Sequence, residues 1–328
     1  MCTSVIYENK QKEYFLARTM DFSIPLDAKP VFIPKDFNFY ANNSRKTFCT
    51  KFNFVGAGRL VDDYLFGDGV NEKGLSIASL YFSDDAVYFE NNHPEKKELA
   101  PQDVVAWVLG TCESVADVVT KIKDISIVAE IAPIVNGVLP LHWIVADKTG
   151  NSVVIEPVET GLEVYENPVN VMANSPSFPW HLTNLNQYPM LSNQSAQPNS
   201  YQNFLAKGNG AGSGALGLPG DYTSISRFIR IAFMNHYCEK VSTQEESINV
   251  ISRMLSAVYI PKGVKIKSNG AIDYTQFTSF MDLERGSYVI NYYENNRFLQ
   301  IDLDELAHTN EPKIFEMIND MIIEKPMI

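Results

Sequence analysis

Cysteine is scarce in this chain, and the four present (Cys2, Cys49, Cys112 and Cys238) are scattered with no C-x-x-C pair. That excludes a zinc ribbon or a redox dithiol and predicts free thiols in a reducing compartment. The five histidines, His93, His142, His181, His236 and His308, form no H-E-x-x-H or comparable spacing, so no metal site and no cofactor is expected. Positive charge is short as well: 27 Lys and Arg stand against 39 Asp and Glu, a formal net charge of −12. Such a surface does not gather nucleic acid or anionic lipid. No apolar run approaches the roughly 18 residues that cross a bilayer. The opening residues, Met1 to Lys10, lack both the basic n-region and the apolar h-region of a secretion signal. The expectation is a cytoplasmic protein with neither nucleic-acid nor membrane partners.

What is present is an ordinary folded composition, 45% hydrophobic and 20% charged over 328 residues. Thr3–Tyr7 and Tyr14–Arg18 flank the polar stretch Glu8–Glu13 and read as a hairpin. Strand-like runs follow at 52–56, 64–67 and 75–82, the last after the turn Asn71-Glu72-Lys73-Gly74. Pro101 opens a helix over 102–109, and Ser114 caps another over 114–123. Cys112 and Cys238, in apolar helix-like settings, read as core fillers. Strands are predicted at 141–146, 152–156, 161–165 and 169–172. A long Asn-, Ser-, Gly- and Pro-rich loop is predicted from 175 to 220, of the kind that is functional or wraps a partner. Two helices (224–238 and 244–256), a β region (274–301) and a short C-terminal helix complete the expectation. No repeat or linker divides the chain, so residues 1–328 read as one domain with two sheets and helices around them.

Cys2 holds the chemical interest. Methionine is readily removed before a small residue, and the mature chain would then carry its α-amine beside its thiol. An α-amine ordinarily titrates at about 7.7–8.0, which suits proton transfer near neutrality, so the one residue supplies both nucleophile and base. Arg18 and Asp21, in Ala17-Arg18-Thr19-Met20-Asp21-Phe22, end the strand paired with the Cys2 strand. They read either as a surface ion pair or as the groups that hold a positive charge against the thiol and orient the ammonium.

These residues, with Gly69-Val70-Asn71-Glu72-Lys73-Gly74-Leu75, Met172-Ala173-Asn174-Ser175-Pro176, Trp180-His181-Leu182-Thr183-Asn184-Leu185, Gly217-Leu218-Pro219-Gly220-Asp221 and Ser226-Arg227-Phe228 in that order, resemble the choloylglycine hydrolase family of penicillin V acylases and bile salt hydrolases. Ala173 and Pro179 depart from the family pattern, which leaves only loop detail open. The resemblance implies an α+β fold, a four-layer αββα N-terminal-nucleophile sandwich with two antiparallel sheets, commonly assembled as a homotetramer. It also implies Cys2 as nucleophile with Arg18, Asp21, Asn174 and Arg227 around it. Asn174 would donate its side-chain N–H to the oxyanion together with the backbone N–H of Tyr81, and Arg227 would brace the site.

The resemblance further implies that the residue at Tyr81 divides the family, Tyr in penicillin V acylases and Asn in bile salt hydrolases. Its ring would stack on a flat acyl group, with Met20, Phe22 and Ile24 and the segment 131–141 completing the substrate pocket. The expected reaction is hydrolysis of a small-molecule amide, phenoxymethylpenicillin first. Conjugated bile acids or an N-acyl homoserine lactone are the alternatives. A non-catalytic amphipath binder would not need all five polar residues, and a papain-like hydrolase would need a C-G-[SA]-C-[WY] setting that is missing.

Overall fold

The first hairpin sets the frame. Strands β1 (Cys2–Glu8) and β2 (Tyr14–Phe22) pair antiparallel with Cys2 opposite Met20 and Ser4 opposite Arg18. Asn9 closes the turn, its Oδ1 accepting from the backbone N–H groups of Gln11 and Glu13 at 2.9 Å each. Because side chains alternate along a strand, this register puts Cys2, Arg18 and Met20 on one face and Thr3 and Thr19 on the other. The computed structural model describes residues 2–39, 48–83, 85–88, 95–316 and 320–326. Met1 and His93, both weighed above, lie outside them.

β1 and β2 belong to a six-stranded sheet, in the order Val171–Met172, β1, β2, Tyr274–Asp282, Ser287–Tyr292 and Leu299–Asp302. A nine-stranded sheet runs Gly161–Glu166, Ser152–Val158, Leu141–Asp147, Leu75–Tyr81, Asp68–Asn71, Phe54–Leu60, Lys29–Ile33 and Lys313–Ile314, with Tyr64–Phe66 beside Phe54–Leu60. Both sheets are antiparallel throughout these ladders. The backbones come close at Gly56, where an added Cβ would stand 2.0 Å from the Asp68 carbonyl oxygen. Only glycine fits there.

The sheets face each other across a core that includes Val5, Ala17, Ala78, Leu80 and Ile144, all fully buried. Burying each large apolar side chain of this kind contributes about 1.5–3 kcal/mol. On the far side of the nine-stranded sheet lie α1 (Val104–Thr111) and α2 (Val115–Lys121), packed through Val105, Val108, Leu109 and Val118 against Leu75, Ile77 and Trp143. Ser114 caps α2, accepting from the Asp117 N–H at 3.2 Å. On the outer side of the six-stranded sheet lie α3 (Phe178–Leu185), α4 (Ser224–Tyr237) and α5 (Gln244–Ser256). α5 opens on a capping box between Thr243 and Glu246. The layers are helix, sheet, sheet, helix, as expected.

Two local expectations are corrected. The stretch 175–220 is not one loop: it holds α3, a hairpin of Asn199–Tyr201 with Phe204–Ala206, and a 3-10 turn at Ser213–Ala215. Its polar composition hid the helix, whose buried face is only Phe178, His181 and Asn184. At the other end no α-helix follows the β region among the described residues, which hold a single 3-10 turn, Leu303–Leu306, and then the edge strand Lys313–Ile314, while 317–319 and 327–328 lie outside them. That strand pairs with Lys29–Ile33, and sheet pairing displaces helical propensity there.

Candidate active site

Cys2 is 3% exposed, and both of its polar ends are held. Its backbone nitrogen donates to Asn174 Oδ1 at 2.8 Å, and its Sγ accepts from Arg18 Nη2 at 2.6 Å. Met20 Sδ stands 3.9 Å from the same sulfur. Arg18 is fully buried, its guanidinium also donating to the Thr19 and Gly67 carbonyls at 3.1 and 3.2 Å. Its counter-ion is Asp68 at 3.5 Å, likewise fully buried. Burial alone would lower the basicity of Arg18, but the charges of Cys2, Asp68 and Asp21 around it carry it above the usual arginine value. Asp68 is anchored in turn by Tyr288 Oη (2.7 Å), Ser279 Oγ (2.9 Å) and the Ala57 N–H (3.3 Å). This carboxylate was not singled out from the sequence. The signal for it was an Asp inside Gly67-Asp68-Gly69-Val70, a stretch that is otherwise strand core.

On the opposite face of β2, Asp21 accepts from Thr275 Oγ1 at 2.6 Å and Thr19 Oγ1 at 3.2 Å, and lies 3.9 Å from Arg227 Nη1. Arg227, on α4, is fully buried. Its planar fork reaches the Cys2 carbonyl at 2.7 Å, Asn174 Oδ1 at 2.7 Å and Thr3 Oγ1, while its Nε holds the Tyr222 carbonyl at 3.1 Å. Arg18 and Arg227 thus approach Cys2 from opposite faces of one strand.

Asn174 follows the short strand Val171–Met172 beside β1. Its Nδ2 donates to the Tyr81 carbonyl at 2.8 Å, so the side chain joins the ends of strands from both sheets. Its backbone is clamped: N–H to Ser224 Oγ at 2.8 Å, and carbonyl from Ser224 Oγ at 2.9 Å and His181 Nε2 at 2.8 Å. His181 stacks on Phe228, next to Arg227, with ring centroids 4.6 Å apart. Behind Tyr81, Phe82 stacks on His142 at 4.3 Å, and His142 Nδ1 lies 3.0 Å from Glu156 Oε1. Glu156 also receives the Phe178 N–H at the start of α3. Burial depresses both imidazoles, His181 to about 4, so both are neutral at pH 7. None of Glu156, His142 and His181 was assigned a role from the sequence.

Cys2 opens onto a cavity of about 110 Å³ lined by Met20, Phe22, Leu26, Tyr81, Ile134, Val135, Leu139 and Leu141, with Arg59 and Gln102 as its larger polar members. Met20, Phe22 and Tyr81, named above for the substrate pocket, all line this cavity. Phe22 and Tyr81 meet edge to face with centroids 5.8 Å apart. Part of the segment 131–141 contributes as well. Ile24 does not line the cavity: it is 41% exposed, and its carbonyl accepts from Gln276 Nε2 at 2.8 Å. The chain turns after Phe22, and Leu26 and Ala28 take the lining position instead. The Asn71 motif is structural, its Nδ2 holding the Leu109 and Cys112 carbonyls at the end of α1. Among the described residues no His, Cys, Asp and Glu cluster is arranged to hold a metal ion. No helix among them is long and apolar enough to cross a membrane.

This four-layer sandwich, with a buried Cys2 whose nitrogen and sulfur are both engaged, is an N-terminal-nucleophile hydrolase fold. The family model of the linear amide C–N hydrolases, choloylglycine hydrolase family, matches residues 2–315, and the chain belongs to that family. It is accordingly a hydrolase of linear amide C–N bonds. A bile salt hydrolase/transferase of Clostridium perfringens is 35% identical over 96% of this chain and 97% of its own. One from Lactiplantibacillus plantarum is 33% identical over 93% of each. A crystal structure of conjugated bile acid hydrolase from C. perfringens superposes with a TM-score of 0.91 at 32% identity over 99% of both chains. A penicillin V acylase from Agrobacterium tumefaciens has a TM-score of 0.78 at 20% identity, covering 95% of this chain and 90% of its own, a likeness of fold alone. The order of substrates expected from Tyr81, penicillin V before bile salts, is not the order of these similarities.

Proposed function

We propose that this chain hydrolyses conjugated bile acids, cleaving the amide between a bulky apolar acid and glycine or taurine, with Cys2 as the nucleophile of a single catalytic domain. The observation that carries the reading is the pairing of Cys2's two held ends with the apolar cavity at its sulfur. Likeness to bile salt hydrolases over nearly the whole of both chains supports the choice of acyl group.

Once Met1 is removed, the Cys2 nitrogen is an amine that keeps Asn174 Oδ1 as its partner. The amine takes the thiol proton, and the sulfur attacks the amide carbon while Arg18 holds the sulfur in place. The oxyanion is met by the Asn174 side-chain N–H and the backbone N–H of Tyr81, donors worth about 2.7–4 kcal/mol each in comparable sites. The protonated amine passes its proton to the leaving nitrogen as the C–N bond breaks, leaving a thioester on Cys2. The same amine then takes a proton from water, whose oxygen attacks the thioester and frees the acid. Asp21 and Arg227 fix the N-terminus throughout.

A second reading, an aryl-acetyl amide such as phenoxymethylpenicillin, is favoured by the Tyr81 ring, which lines the cavity beside Phe22. Comparing kcat/KM for glycocholate, taurocholate and penicillin V, on protein whose N-terminus has been checked by intact mass, tests both. A preference for penicillin V would overturn the bile-salt reading, and Tyr81→Asn should move the ratio toward the bile salts. We further propose assembly as a homotetramer through the stretch after α3, where Met190, Tyr201, Phe204 and Leu216 are all exposed. A monomer by light scattering would refute that.

A further inference from the structure

The chain's net charge of −12 does not extend to the mouth of the Cys2 cavity. Lys267 lies in the segment between α5 and the strand Tyr274–Asp282, where a tight reversal fixes its backbone. Its N–H donates to the Ala271 carbonyl and its own carbonyl accepts from Gly270, both at 2.9 Å, and an isolated bridge joins Ile266 to Ile272. The Lys267 Nζ donates to Ser23 Oγ at 3.0 Å. It stands 5.6 Å from the Phe22 ring centroid and 5.9 Å from that of Tyr81, the two aromatic rings that line the cavity. Among the described residues Lys267 forms no ion pair within 4 Å, and the carboxylate that feels its charge is Asp273. Two residues earlier the arrangement differs, since Lys265 is paired with Asp273 at 2.8 Å. Arg59 lines the same cavity with Nη1 on the Leu26 carbonyl at 3.1 Å, and no Asp or Glu is among the lining residues.

The aromatic faces hold the ammonium by cation–π attraction, and the carboxylate that feels it, Asp273, is itself paired with Lys265, so the charge of Lys267 stays available to a ligand. Tyr81 is also the residue whose carbonyl is tied to Asn174, which holds the Cys2 nitrogen. With the apolar acyl half of an amide seated among Leu139, Leu141 and Val135, the amine half is assigned to the side of the cavity that Phe22 and Tyr81 border.

We propose that Lys267 is a specificity determinant that receives the anionic end of the substrate's amine half, a carboxylate or sulfonate carried by the leaving amine. This rests on the reading of the chain as a conjugated-bile-acid hydrolase and sharpens it. Substrates with a charged amine half are favoured over neutral amides of the same acid.

The test compares wild type, Lys267→Met and Lys267→Arg on glycocholate, taurocholate and the neutral ethanolamine amide of cholic acid. Lys267→Met keeps an unbranched apolar side chain at this half-exposed position, and an unchanged thermal midpoint would show that the fold is kept. The expected result is a fall of about five- to tenfold in the anionic-to-neutral kcat/KM ratio, carried by KM, with Lys267→Arg restoring most of it. In wild type the ratio should also fall as salt is raised, and in Lys267→Met it should not. An unchanged ratio in Lys267→Met, or equal losses on anionic and neutral amides, overturns the inference. If wild type cleaves neither bile conjugate, the proposed function falls by itself. The same variants on penicillin V and its methyl ester then decide the charge question, by the same ratio.

Discussion

An Asn174→Asp substitution exchanges one NH2 for an oxygen and so separates the two jobs proposed for this side chain. Oδ1 accepts from the Cys2 nitrogen at 2.8 Å and from Arg227 Nη2 at 2.7 Å, and an aspartate keeps an acceptor there. Nδ2 donates to the Tyr81 carbonyl at 2.8 Å, and the aspartate instead sets an oxygen against that carbonyl. The variant therefore keeps Cys2 and Arg227 paired and loses the side-chain donor proposed for the reacting carbonyl. Loss of one oxyanion donor is worth about 2.7–4 kcal/mol, about 10²–10³ in rate. The added negative charge opposes an oxyanion and makes that a lower bound. Asn174→Ala also removes the acceptor, leaving Cys2 N–H and Arg227 Nη2 short of a partner at about 1–3 kcal/mol each, so it should lose more stability as well as activity. The backbone clamps from Ser224 and His181 survive in both variants. Steady-state kcat/KM and urea denaturation on the three proteins separate the effects. An Asn174→Asp enzyme within about tenfold of wild type would refute the oxyanion assignment.

Three further outcomes are expected. Asp68→Asn strips the buried counter-ion from Arg18 and should cost about 3–5 kcal/mol in denaturant unfolding, because Asp68 also collects Tyr288 and Ser279; a loss of under about 1 kcal/mol would show that the guanidinium is held by its other partners. Acid should weaken the fold through His181, whose imidazole is depressed from 6.5 to about 4 by burial. The unfolded chain binds this proton below about pH 6.5 and the native chain only near 4, so stability is complete above 6.5 and falls as pH drops toward 4, by about 3 kcal/mol in all. His181→Gln should flatten that slope, and a slope identical to wild type would exclude this histidine. Finally, a Gly inserted between Met1 and Cys2 keeps the thiol but turns its amine into an amide; hydrolysis should collapse, and retained turnover would sink the N-terminal-amine mechanism.

The sequence by itself determined the parts of this protein that local chemistry controls. The Cys2–Tyr14 hairpin, the Ser114 cap, the helices at 224–237 and 244–256 and the C-terminal β alternation are written in turn residues, caps and periodicity. Cys2, the proposed nucleophile, stood out because a thiol next to the starting methionine suggests its own chemistry, and Arg18, Asp21, Asn174 and Arg227, proposed around it, stood out through ordered motifs. What only the tertiary structure decided is which distant groups share a site. Asp68 and Arg18 are fifty residues apart in the chain and become an ion pair because two sheets face each other. Glu156 and His142 sit on neighbouring strands, and His181 on α3; they come to flank Asn174 and Tyr81 by sheet register and helix docking. Lys267 reaches the Phe22 and Tyr81 rings across more than 180 residues. Ile24 failed as a pocket residue for the same reason: strand alternation predicts a side chain's face only while the strand continues, and β2 ends at Phe22. Beyond that point direction is set by what the chain packs against, which no local pattern records.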